Sequence, residues 1–110
     1  MAYDEELARR ISSNLEPFRN DVEEKKMFGG VGYMYKGKMC CGVVKDELMI
    51  RVISEKYEEA LAHPHTRVMD FTDKPMKNFL YVAPEGFRSE EDLTHWINLG
   101  IEHAEEQQSQ

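Results

Sequence analysis

Between Met27 and Val52 the chain runs three apolar-rich segments so close together that only tight turns fit between them. Residues 27–35 lead to Lys36-Gly37, residues 38–44 to Lys45-Asp46, and residues 47–52 complete the set. Two-residue links join antiparallel neighbours, whereas a parallel pair needs a crossover of about a dozen residues or more. A β-meander is therefore the element around which everything else must be arranged. Because strand side chains alternate, it has two faces of different character.

Each turn fixes a register. A turn at Lys36-Gly37 sets Tyr35 opposite Lys38, Met34 opposite Met39, Tyr33 opposite Cys40 and Gly32 opposite Cys41. A turn at Lys45-Asp46 sets Val44 opposite Glu47, Val43 opposite Leu48, Cys41 opposite Ile50 and Met39 opposite Val52. One face then collects Phe28, Met34, Met39, Cys41, Val43, Leu48, Ile50 and Val52, and is expected to carry helices. The other holds Tyr33, Tyr35, Lys38, Cys40, Val44, Glu47, Met49 and Arg51. Tyr33, Tyr35, Met49 and Arg51 are of types found at interface centres, so this face is the candidate interface, for a protein partner or a second copy of the chain. Cover by the protein's own elements is the competing reading.

The flanks supply the helices. Leu7, Ile11 and Leu15 fall on one helical face over residues 4–15, with Asp4 as N-cap and Pro17 as terminator. The charged stretch 19–26 reads as an exposed connection or a short helical turn. Ser54 should cap a helix over residues 55–62 that turns Tyr57, Ala60 and Leu61 inward. Short strands are expected at residues 67–71 and 78–82, with a turn at Asp73-Lys74-Pro75. Ser89 then caps a last helix whose first turn is acidic and whose stripe is Leu93, Trp96, Ile97, Ile101 and Ala104. The expected fold is α+β: a three-stranded antiparallel meander plus one or two later strands, with N-terminal, middle and C-terminal helices on one face. It makes one domain over residues 1–110, ordered over about 4–105 with a flexible tail at 106–110.

Composition narrows function. Twenty-one acidic residues against fourteen Lys and Arg give a net charge of −7, which disfavours direct nucleic-acid or acidic-membrane contact. A nucleic-acid reading would need Lys25, Lys26, Lys36, Lys38, Lys74 and Lys77 gathered on one side. No apolar run reaches the ~18 residues that span a bilayer, and the acidic start lacks the apolar core of a signal peptide. Cys40 and Cys41 are adjacent, so a disulfide between them would distort the backbone, and free thiols fit the cytoplasm.

Chemistry-bearing patterns are absent. Gly29, Gly30 and Gly32 run into a hairpin rather than a helix N-terminus, and no Gly-Lys-Ser/Thr follows, so they read as a strand that something approaches closely. The cysteines lack metal-site spacing, Cys41 reading as core and Cys40 as a thiol that Arg51, directly across, would activate if exposed. His63, His65, His95 and His103 read as surface residues. The paired carboxylates sit on helical faces with no partner converging on a pocket. No catalytic residue, metal ligand or cofactor is expected. Beside a protein-interaction domain, the alternatives are a nucleic-acid-binding α+β domain and a small-ligand domain, which requires a deep pocket.

Residues 27–32 (Met-Phe-Gly-Gly-Val-Gly), the hairpin through Gly37, the strand at 46–52, the Phe79-Leu80-Tyr81-Val82-Ala83-Pro84 stretch and the helix of Leu93 and Trp96 together resemble the TfoX N-terminal domain family, over about residues 10–105. Its family-motif positions here are Met27, Phe28, Gly29, Gly30, Gly32 and Trp96, read as structural. The resemblance implies an α+β fold and a link to competence regulation, in which longer members act as positive regulators through contacts with a transcription activator. It brings no catalytic residues. The chain ends without the C-terminal helical half of those regulators, so a stand-alone N-terminal domain is expected.

Overall fold

The computed structural model describes residues 3–27, 30–71 and 74–108. One six-stranded antiparallel sheet runs in the order β1-β2-β3-β4-β6-β5, from β1 (Val22–Met27), β2 (Gly30–Tyr35), β3 (Lys38–Val44), β4 (Glu47–Arg51), β5 (Thr66–Phe71) and β6 (Lys74–Val82). Helices α1 (Glu5–Asn14), α2 (Ser54–Leu61) and α3 (Glu90–Gln108) contribute to the core on one of its faces. The α+β expectation is met.

The cap residues act largely as their chemistry dictates. The Asp4 carboxylate accepts from the Glu6 and Leu7 amides, and Ser89 Oγ accepts from the Asp92 amide at 3.0 Å. Ser54 differs: it is the first residue of α2 rather than its cap, and its hydroxyl accepts from Asn78 Nδ2. Arg10 ties α1 to the start of α3, with Nε 2.8 Å from Glu90 and Nη2 donating to the Phe87 carbonyl. Helix α3 runs to Gln108, past the expected fraying point, while residues 109 and 110 lie outside the described residues.

Stretch 19–26 is the first departure. It is mostly edge strand β1, with Lys25 paired to Gly32 and Met27 to Gly30. A sequence of Val-Glu-Glu-Lys-Lys-Met carries no apolar alternation, because an edge strand is recruited through its backbone and its charges blunt further pairing. The first meander strand thus begins at Gly30, and Phe28 and Gly29 lie outside the described residues, as do Thr72 and Asp73 of the expected turn. Strand β6 starts at Lys74, four residues before the expected Asn78, which sits at φ 71°.

The second departure is a β-bulge. Tyr35 faces Lys38 and Met34 faces Met39 as expected, but Tyr33 pairs with Cys41 rather than Cys40. Cys40 is the extra residue, so the β2 faces are the reverse of those expected relative to β3 and β4. An unbroken register would turn Gly30, Gly32 and Met34 toward the helices; the bulge turns Val31, Tyr33 and Tyr35 there instead. That exchange adds apolar burial on the order of 5 kcal/mol, against about 1 kcal/mol for a ladder hydrogen bond lost at the extra residue. Tyr33 is 2% exposed, and its hydroxyl donates to the Ala8 carbonyl at 3.1 Å. Tyr35 is buried edge-on against Phe18.

Helix α3 is shaped to the bulge. A Cβ on Gly100 would lie 2.2 Å from the Cys40 carbonyl oxygen, so only glycine lets the helix settle there. The stripe Leu93, Trp96, Ile97, Ile101 and Ala104 is buried, and Trp96 Nε1 donates to the Gly86 carbonyl at 2.9 Å.

Candidate interaction face

The face of the sheet turned away from the helices carries a second, smaller apolar cluster. Met49 and Tyr81 are its buried members, with Met39, Val44 and Phe79 packed against them. The alternation of β2 adds Met34, which is half-buried. Gly32 and Gly42 pair in the middle of this face and leave a shallow floor that Met49 fills. A Cβ on Gly42 would stand 2.7 Å from the Met49 methyl, which explains how Met49 reaches 1% exposure on a face that no described helix packs against.

Two arginines lie on two rings of this face. Arg67 is opposite Tyr81 across β5 and β6, with its guanidinium carbon 4.4 Å from the ring centroid, and it is ion-paired to Glu47. Arg51 is opposite Phe79 across β4 and β6, 5.1 Å from that ring. No carboxylate meets Arg51 among the described residues, and its buried Nε makes no hydrogen bond. Burial pushes the Arg51 pKa down, and it pushes that of Tyr81 up, with Arg67 opposing.

The structure separates the four residues expected to share an interface. Met49 and Arg51 lie on the open face. Tyr33 and Tyr35 lie on the helix-covered face, because the bulge reverses β2. Met34, Met39, Phe79, Tyr81 and Arg67 are the face residues that sequence reasoning missed. A signal for the first two was present: the run Gly30-Val31-Gly32-Tyr33-Met34-Tyr35 alternates, and its large residues at 31, 33 and 35 mark the core side.

Cys40 is also corrected. It is fully buried on the helix side, its Sγ 3.3 Å from the Tyr33 carbonyl oxygen and 3.7 Å from Cys41 Sγ. The bulge points two successive side chains the same way, so Arg51 is not beside it, and the Cys41 pKa is raised by the contact with Cys40 and by burial. Neither thiol is poised to react.

His103 is the remaining surprise: expected at the surface, it is 3% exposed, with Nδ1 making no hydrogen bond. Burial, with the Arg51 charge second, holds its pKa down to about 4. The other imidazoles are exposed, His63 and His95 each meeting Trp96 edge-on around a cleft of about 280 Å³ between α2 and α3. Lys25 and Lys26 alternate across β1, Lys36 lies in the β2–β3 turn with Lys38 just after it, and the side chains of Lys74 and Lys77 lie outside the described residues. No cluster of three or more His, Cys, Asp or Glu able to hold a metal occurs among the described residues, and no described helix is long and apolar enough to cross a membrane.

Compared with known families, residues 13–104 match the model of the TfoX N-terminal domain. No curated protein matches the chain.

Proposed function

The chain belongs to the TfoX N-terminal domain family, and from that premise we propose that it is a non-enzymatic regulatory module of the cytoplasm that works by protein contact, in transcription regulation of the competence type. The observation that carries the reading is the one-sided sheet: helices supply the core on one face, while the other presents Met34, Met39, Val44 and Phe79 half-buried around Met49 and Tyr81. Apolar and aromatic side chains under a rim of charge are what a protein partner buries. The acidic balance of the chain, −7 overall, favours protein over nucleic acid as that partner.

A photo-crosslinking side chain placed at Met39 or Phe79 in cells tests this, with Glu58 on the exposed side of α2 as the control position. Discrete higher-mass adducts at Met39 and Phe79, and none at Glu58, are expected. Adducts equally frequent at all positions, or absent from both face positions, would overturn the reading.

A further inference from the structure

The open face repeats one motif twice and completes it once. In both copies a guanidinium lies over an aromatic ring that faces it across adjacent strands: Arg67 over Tyr81, and Arg51 over Phe79. In the first copy Glu47 closes the set by pairing with Arg67. In the second, the carboxylate is missing among the described residues, and the half-buried Arg51 keeps a buried Nε with no acceptor. Among the described residues Glu23 is the other acid of this face, and it is 3.6 Å from Lys25 at the far edge strand β1.

An arginine that has given up part of its hydration without gaining an acceptor is an uncompensated group, and a fork of N–H donors held over a ring is preorganised for a carboxylate. Resting on the docking reading above, we propose that Arg51 is the recognition point for an aspartate or glutamate side chain of a partner protein. The residue next to that acid is apolar and settles over Met39 and Met49. The missing third member of the Arg51–Phe79 set is thus supplied in trans, as Glu47 supplies it in cis to Arg67. Charge complementarity fixes the sign of the partner: on a chain of net charge −7, this is a cation with no acid paired to it among the described residues.

Selection from a random displayed-peptide library against the folded chain, followed by titration of the selected synthetic peptides, tests the assignment. Selected peptides should share one Asp or Glu beside an apolar residue. Changing that acid to its amide should weaken binding by about tenfold, the worth of one charge-assisted hydrogen bond. This comparison leaves the protein unaltered, so it does not depend on a variant folding. Arg51→Met should give the same loss, and Arg67→Met less than about twofold. If no peptide is selected, or the acid-to-amide change is silent, the proposal is overturned. In the silent case, loss of binding on Met39→Asp would leave the docking face standing and remove the carboxylate alone. Peptides indifferent to both Met39→Asp and Arg51→Met would remove the face as well. A dimer dissolved by Arg51→Met would overturn the assignment in favour of a second copy.

Discussion

The two faces of the sheet are cut from the same strands and held together differently. On the covered face Leu48, Ile50, Leu80 and Val82 are fully buried, because three helices bring apolar stripes down on them. On the open face the strands cover one another: Met49 folds over the glycine floor, and arginines lie across Phe79 and Tyr81. Burial by a second layer is insensitive to any one neighbour. Burial by neighbouring side chains of the same sheet depends on each of them, and can be traded for contact with another molecule. The same six strands therefore provide stability on one side and an adaptable surface on the other.

The largest effect should come from breaking the contact on which the covered face depends. Gly100→Val places a side chain against the Cys40 carbonyl that a Cβ would approach to 2.2 Å, so α3 must lift from the bulge. A loss of about 3 kcal/mol or more is expected in urea unfolding. Leu80→Ala should lose about 3 kcal/mol from the fully buried layer, and Met39→Ala less than about 1 kcal/mol from the half-buried one. Equal losses would erase the distinction between the faces.

His103 sharpens the comparison through pH. Its pKa is near 6.5 in the unfolded chain and about 4 in the fold, so between these values the unfolded state binds more protons. The contribution of the neutral imidazole is complete above about pH 6.5 and is lost as pH falls toward 4, a change on the order of 3 kcal/mol. Unfolding free energies of the wild type and His103→Gln, measured across that window, should differ in slope in this sense. A smaller effect belongs to Tyr33→Phe, which removes the hydroxyl bonded to Ala8 and should lose about 1 kcal/mol. The smallest belongs to Arg67→Ala, whose exposed ion pair with Glu47 should be worth less than about 1 kcal/mol.

Much of this was legible in the sequence. Periodicity locates α1, α2 and α3, with caps marking the first and the last, and the Lys36-Gly37 turn, with Lys36 at φ 50° and Gly37 at 86°, sets the start of the hairpin. The Lys45-Asp46 turn gave the β3–β4 register correctly, Cys41 opposite Ile50 and Val43 opposite Leu48. Turn counting assumes that a register, once set, persists, and a bulge breaks that assumption without any residue at the turn announcing it. Turn counting therefore puts Cys40, Tyr33 and Tyr35 on the open face and Met34 and Met39 on the covered one, each the reverse of where it lies. Strand β1 was illegible for another reason: Val22 to Met27 is held by β2's backbone, and no side-chain pattern encodes that. His103 reads as polar and exposed because it lies off the apolar stripe, where local pattern cannot see what packs around the end of a helix.

The most direct test of the two-faced sheet is solvent paramagnetic relaxation by a soluble gadolinium chelate. It would be read by NMR on the methionine methyls and the tyrosine rings. Strong broadening of the Met34 and Met39 methyls, with the Tyr33 and Tyr35 rings protected, is the predicted result. Protected Met34 and Met39 with broadened Tyr33 and Tyr35 would mean that the strands run in the unbroken register, and the assignment of the open face would be contradicted.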